Sequence, residues 1–210
     1  MDDLRLLLII AASAIPAYVL GSVNGAIITS ISLYRKDIRK YGSGNPGLTN
    51  FYRVFGKGGA LLVVLIDVVK TLAPVLLGGY LFHQYYDMRL FGRELTGLFV
   101  LLGHCFPVFY RFKGGKGIMA AGTILIIVDW RLAIICWGLF ILLTIATKFV
   151  SLGSIIGVAA FPVFQIIFEL GGTKEYIVAI ICAALVIARH QANIGRLLRG
   201  EETKFSLKHE

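Results

Sequence analysis

From Leu6 to Tyr34 the chain runs 29 residues without a charged side chain. A helix needs about 20 mainly apolar residues to cross a bilayer core, so this run is long enough to span one. Counted generously, it covers residues 4–32, and six more apolar runs follow at 58–82, 95–109, 117–128, 132–147, 151–170 and 176–188. Hydrophobic residues make up 57% of the 210 and charged residues 16%, against about 25% charged in a soluble domain. A soluble globular protein is excluded. The spans leave no room for a second domain, so residues 1–210 read as a single membrane-embedded, all-α unit. The start, Met1-Asp2-Asp3, is acidic. A cleaved secretory signal starts basic and has a shorter apolar core, so the first run reads as a permanent helix.

The hardest boundary is Asp129-Trp130-Arg131, which interrupts residues 117–147. Unbroken, that stretch would make a helix of about 46 Å at 1.5 Å per residue, too long for one crossing. Division there gives seven spans, and the loop charges agree. The first loop, residues 33–57, carries Arg35, Lys36, Arg39, Lys40, Arg53 and Lys57 against Asp37, a net +5. The third carries Arg111, Lys113 and Lys116, a net +3, and the fifth carries Lys148. The tail sets Arg189, Arg196, Arg199, Lys204 and Lys208 against three glutamates, a net +2, while the other loops are neutral. Basic loops stay cytoplasmic. Seven spans therefore put the N-terminus outside and the tail inside, whereas six would export the basic tail.

Three segments on that basic side depart from ordinary loop composition. The first is Gly42-Ser43-Gly44-Asn45-Pro46-Gly47-Leu48-Thr49-Asn50, followed by Arg53. Its glycines, proline and small polar residues predict a structured turn rather than a helix. The second begins in an apolar run at Gly103-His104 and continues through Phe112-Lys113-Gly114-Gly115-Lys116-Gly117. His104 reads either as a hydrogen-bonded structural group or, being ionisable inside a membrane, as part of a site. Lysines that serve only as interfacial anchors need no glycine around them. The spacing is not that of a P-loop, which would place Ser or Thr after the lysine. The third segment runs from Arg189 to Glu202, and on a helix its His190, Asn193 and Arg196 would share roughly one face. Asp67 and Lys70, three residues apart in the second span, read as a structural ion pair, with contact to a site as the second possibility. Gly21, Asn24, Gly25, Gly153 and Gly157 suit close helix packing. Cys105, Cys136 and Cys182 read as buried free thiols. No metal, cofactor or nucleic acid is expected.

The runs GSGNPGLTNFYRVFGK, GHCFPVFYRFKGGKG and RHQANIGRLLRGEETKF resemble, in order and spacing, the three motifs of the acyl-phosphate–glycerol-3-phosphate acyltransferase (PlsY) family. Asp67/Lys70 and the Asp37-Ile38-Arg39 lead-in fit the same pattern. The resemblance implies a seven-helix enzyme of the bacterial inner membrane with its active site on the cytoplasmic side. Such enzymes transfer a fatty acyl group from acyl phosphate to the 1-hydroxyl of sn-glycerol 3-phosphate, giving lysophosphatidic acid and phosphate. The implied partners are both substrates, membrane lipid and a soluble enzyme that supplies acyl phosphate. Matched residue by residue, Ser43, Arg53, Lys116, His190 and Asn193 would be catalytic. Gly42, Asn45, Thr49, Asn50, His104, Lys113, Gly114, Gly115, Gly117, Arg196 and Glu202 would bind substrate. Two departures stand out. Met119-Ala120-Ala121 occupies the place of the family's usual hydroxyl residue, and Gly200-Glu201-Glu202 that of its usual Gly-Thr-Glu.

Both implied substrates carry phosphate, so the site must hold two anions. Lys113, Lys116, Arg53 and Arg196 would supply charge, and arginine grips phosphate with paired N–H bonds. The Gly42–Gly47 and Gly114–Gly117 backbones are candidate anion nests. Acyl phosphate is already activated, which favours direct transfer, with Ser43 and Asn50 as hydrogen-bonding groups, over a Ser43 acyl-enzyme. The base is open between His104, His190 and the donor's own phosphate. The competing class is a small anion or phosphate transporter or channel, which the one-sided motifs and lack of an inverted repeat disfavour.

Overall fold

The computed structural model describes residues 2–205, and among them there are only helices, turns and loops. Lys208 and Glu210, counted in the tail charge, lie outside the described residues. Four stretches are long and apolar enough to cross a membrane: Asp3–Tyr34, Ala60–Tyr86, Trp130–Thr147 and Val150–Ile167. A bent pair, Thr173–Ala188 with Gln191–Leu198, would make a fifth. Along Ala60–Tyr86 (α4), Leu61, Leu65, Val69, Leu72 and Leu76 are exposed. In water such a stripe would drive association; in a bilayer it is the surface that meets lipid.

The first apolar run is not one helix. It forms α1 (Asp2–Gly21) and α2 (Gly25–Tyr34), parted at residues 22–24. Asn24 makes the break. Its side chain accepts from the Ile27 N–H at 2.9 Å, capping α2, and its amide donates to the Pro46 carbonyl at 3.1 Å. A residue expected only to ease helix packing therefore restarts a helix and ties it to the first glycine loop. Gly21 and Gly25 do serve packing. A side chain at Gly21 would strike the backbone of Val100, and one at Gly25 the backbone of Val63.

The first loop also holds more helix than its composition suggests. After Gly47 the chain forms α3 (Leu48–Phe55), seated on Tyr34 by Phe51 and by Phe55, whose ring stacks 4.4 Å away. Burial of these rings outweighs the turn-forming character of the segment. Helix α5 (Arg89–Cys105) starts a turn and a half before the expected apolar run and takes Arg93 and Glu94 inside it. Arg93 has a partner, and Glu94 has one for Oε1 while its Oε2 is buried without one among the described residues. Arg93 donates to the Ile127 carbonyl at 2.7 Å, and Glu94, buried, accepts from Gln165 at 2.6 Å.

The break at Asp129 falls where the sequence places it. It separates α6 (Ile118–Val128) from α7 (Trp130–Thr147), and the Asp129 carboxylate caps α7 through the Arg131 N–H at 2.8 Å. Next comes α8 (Val150–Ile167), packed tightly on α7 because Gly153 and Gly157 let the backbones approach. Helix α9 (Thr173–Ala188) and α10 (Gln191–Leu198) meet at a 61° bend. One apolar core joins α5, α6, α7, α8 and α9, with Ala17 of α1 and Val75 of α4, and a smaller one joins α2, α3 and α4. The three cysteines are free and buried.

Candidate functional site

A cavity of about 450 Å³ opens between these two cores, and all three glycine–basic segments reach it. From the first come Ser43, Asn45, Thr49, Asn50 and Arg53; from the second, His104, Lys116 and Gly117; from the third, His190, Asn193, Arg196 and Glu202. The helical phase of α3 places Thr49 and Arg53, four residues apart, on the face that lines the cavity. The same logic holds for His190, Asn193 and Arg196.

Four helices begin at this cavity. The first turns of α3, α6 and α8 line it, and so does His190, the residue that precedes α10. None of these N-termini carries a side-chain cap. Each leaves backbone N–H groups without intrahelical partners and the positive end of its dipole at the cavity. Together with Arg53, Lys116 and Arg196 they make a place for more than one anion.

The anionic side chains here are already committed. Glu202 accepts from Arg196 at 2.7 Å, from Asn193 at 2.6 Å and from the Ser151 hydroxyl at 2.6 Å. Despite its burial, these bonds and the Arg196 charge hold its carboxyl below the usual range. Asn193 in turn accepts from the Lys116 ammonium at 2.5 Å. The tail reaches back far enough because the Phe205 N–H bonds the Lys148 carbonyl at 2.8 Å and its ring lies against Tyr52. The Glu202 position, a departure by its neighbours in sequence, is thus the hub of the network. Burial, opposed by Glu202, brings Lys116 down to about 8. The ammonium is then lost as pH rises through about 8. Sulfate keeps its charge over that range, so its affinity should fall across pH 7–9 in titration calorimetry, and Lys116→Ala should abolish that step.

The two histidines present opposite faces. Lys70 donates to His104 Nδ1 at 2.9 Å, so a neutral His104 ring carries its proton on Nε2 and can only donate from there. His190 Nδ1 lies 2.8 Å from the Val186 carbonyl, an acceptor, so its proton sits on Nδ1 and Nε2 keeps a lone pair. In this geometry His190 offers a lone pair on Nε2 and His104 an N–H. Lys70 is itself paired with Asp67 at 2.8 Å and bonded to the Val23 carbonyl that the α1–α2 break leaves open. Asp67 also lines the cavity, so the pair touches the site rather than lying apart from it.

Several glycines serve in a way other than the anion nests expected. The Gly115 N–H is taken by the His104 carbonyl at 3.1 Å, and a side chain on Gly115 would collide with the His104 ring. Gly114 crosses the same stretch of backbone. Arg189, absent from the expected set, donates to the carbonyls of both, each at 3.3 Å. These glycines let the turn pass over His104 and deliver Lys116. In the first loop the N–H groups of Ser43, Gly44 and Gly47 are likewise used internally, the first by the Asn50 side chain at 2.9 Å. Gly42, at φ +56°, leaves room for that side chain. Asn50 therefore shapes the loop. Lys113 is exposed and does not line the cavity. Sequence reasoning missed Ser151, whose only local sign was a small polar residue opening an apolar run, and Trp137 and Phe140, which had none.

Comparison with known proteins follows the same lines. The glycerol-3-phosphate acyltransferase family matches residues 11–200. A glycerol-3-phosphate acyltransferase of Thermoanaerobacter pseudethanolicus is 40% identical over 94% of this chain and 96% of its own length. That of Clostridioides difficile is 36% identical over 94% and 96%. Among solved structures, PlsY, an integral membrane glycerol 3-phosphate acyltransferase, superposes in its glycerol 3-phosphate form with a TM-score of 0.83 at 32% identity, over 94% of this chain and 96% of that one. Its lysophosphatidic acid form gives 0.80 at 30% identity, over 95% and 97%. With likeness running the length of the chain in both sequence and fold, the protein belongs to the glycerol-3-phosphate acyltransferase family and is an acyltransferase of the membrane.

Proposed function

We propose that this enzyme transfers a fatty acyl group from acyl phosphate to the 1-hydroxyl of sn-glycerol 3-phosphate, releasing lysophosphatidic acid and phosphate, as the first acylation of bacterial phospholipid synthesis. The observation that carries the proposal is the single cavity where four uncapped helix N-termini meet Arg53, Lys116 and Arg196. It suits two phosphate groups side by side, and the forms in which PlsY was solved supply the acceptor and the product. The hydroxyl oxygen attacks the acyl carbonyl carbon, and the bond from that carbon to the phosphate oxygen breaks. The departing phosphate can accept the hydroxyl proton, and His190 Nε2 is the side-chain alternative. His104 Nε2–H and the basic groups stabilise developing negative charge. Ser43 is exposed, and no hydrogen bond joins it to either histidine among the described residues, which favours direct transfer.

The test is to mix purified enzyme with acyl phosphate alone, then add labelled glycerol 3-phosphate. Direct transfer gives sequential kinetics and no phosphate until the acceptor arrives. A stoichiometric phosphate burst with the acyl group on Ser43 would replace this mechanism by a covalent one. Anion flux in liposomes without lysophosphatidic acid would favour the transporter reading instead.

We further propose seven crossings of the bacterial inner membrane, by α1–α2, α4, α5, α6, α7, α8 and α9. The active site then faces the cytoplasm, where the soluble enzyme supplying acyl phosphate works. Support comes from the basic loops. The shorter α5 and α6 span with snorkelling flanks or a thinned bilayer. Single cysteines placed in residues 33–57, in residues 110–116 and after Leu198 should react with impermeant reagents only from the cytoplasmic side. Labelling of the tail from outside contradicts this topology.

A further inference from the structure

The apolar side of the cavity belongs to α6, α7 and α8, through Ile118, Met119, Trp137, Phe140 and Val150. A second void of about 30 Å³ continues from it, sharing Ile118, Trp137, Phe140 and Ser154. A third, of about 10 Å³, shares Ala121, Leu125 and Val158 with the second. Through these shared residues the three voids adjoin one another, from the basic groups of the first to the apolar lining of the third. Along α6 the lining follows Ile118, Ala121, Gly122 and Leu125, a single helical face covering about 10 Å of axis. Beyond the first void the lining is apolar apart from Ser154, whose hydroxyl is satisfied by the Val150 carbonyl at 2.8 Å. Nothing here would hold an anion or a water, and an alkyl chain is the ligand such a lining fits.

The second void is small, and part of its wall is open to the outside. A void of 30 Å³ has room for about two waters. The Trp137 indole narrows it. Its ring lies directly on Gly122, where any side chain would collide with it, and its N–H reaches the Gly122 carbonyl only at 3.4 Å, a weak bond. Phe140 backs the indole edge-on at 5.6 Å. At Gly153 and Gly157 the α8 backbone comes close against Cys136 and Phe140 of α7, next to Trp137 in the chain.

We infer that the crevice between α6, α7 and α8 receives the acyl chain and that Trp137, stacked on Gly122, sets the chain length the enzyme accepts. This rests on the proposed acyl transfer. Trp137 would act as a specificity residue at the chain, away from the reacting atoms. Leu125, seven residues further along α6 than Ile118, marks the far end of the crevice.

The experiment measures kcat/KM for acyl phosphates of increasing chain length with wild-type enzyme, Trp137→Ala and Leu125→Phe. Trp137→Ala should move the optimum to longer chains, with relative kcat/KM rising about 4-fold for each methylene newly buried. Leu125→Phe should move it to shorter ones. The two opposite shifts separate a steric ruler from a general loss of fold. An acyl phosphonate with a photoreactive terminal carbon gives an independent reading, since it should label Leu125 or Val158 in the wild type. Unchanged profiles in both variants, or labelling only of lipid-facing positions, would overturn the crevice while leaving acyl transfer standing. Failure of the wild type to use any acyl phosphate would overturn the proposed reaction and this inference with it.

Discussion

Lys116→Ala should lower kcat/KM by about 30- to 1,000-fold, the equivalent of about 2–4 kcal/mol for one charged contact to a phosphate in a partly enclosed site. The loss should lie toward the upper end, because Lys116 is half-buried and a charge in that setting acts through a lower dielectric than one in water. Arg53→Ala should fall toward the lower end, since Arg53 lines the same cavity from an exposed position. Neither substitution removes a core contact, so thermal midpoints in detergent should stay close to wild type. Lys116→Arg should recover only part of the rate. The ammonium sits 2.5 Å from Asn193 Oδ1, beside the Gly117 turn at φ +86°. A guanidinium is wider and planar and does not fit the same point. Steady-state assays with both substrates decide this, and near-normal turnover in Lys116→Ala would remove the lysine from the site.

Asp67→Ala should cost about 3–5 kcal/mol of stability, because it leaves the Lys70 ammonium buried without its counter-charge. The pair lies in α4 at 2.8 Å with both side chains almost wholly enclosed. Lys70→Met should be costly in the same way, stranding Asp67. The double variant Asp67→Ala/Lys70→Met should be more stable than the sum of the two losses, since no unpaired charge remains. It should nevertheless be slow, because His104 Nδ1 then has no donor to hold its proton on Nε2. Thermal unfolding in detergent and turnover, read on the same four proteins, separate these effects. Additive destabilisation would show that the pair is not coupled.

Much of this protein was legible in the order of its residues. Membrane residence follows from a sum of transfer free energies along each run, which needs no partner to evaluate. The Asp129 break could be read because the length of one crossing is a local constraint, and Asp129 caps α7 within two residues of itself. The three glycine–basic segments could be recognised because their composition departs from what loops or anchors require. Other features resisted because their partners lie far away in sequence. Glu94 and Arg93 fall just before the apolar run expected at 95–109, yet both lie inside α5, where Gln165 donates to one Glu94 oxygen and Arg93 donates to the Ile127 carbonyl. Asn24 read as a packing residue until Pro46 came within reach. Gly115 read as a cradle for phosphate, although its N–H is taken by the His104 carbonyl, eleven residues earlier.

What the sequence determined by itself was therefore the solvent the chain folds in, its all-helical character, and which segments depart from ordinary loop composition. The tertiary structure alone decided how those segments are assembled. It brought four helix N-termini to one cavity, gave Glu202 three partners, set the two histidines in opposite tautomers, and laid Trp137 across Gly122. The physical reason is common to all four. Hydropathy and helix capping act within a turn or two of the chain, whereas hydrogen bonds, ion pairs and ring contacts depend on distances that exist only after the helices have packed.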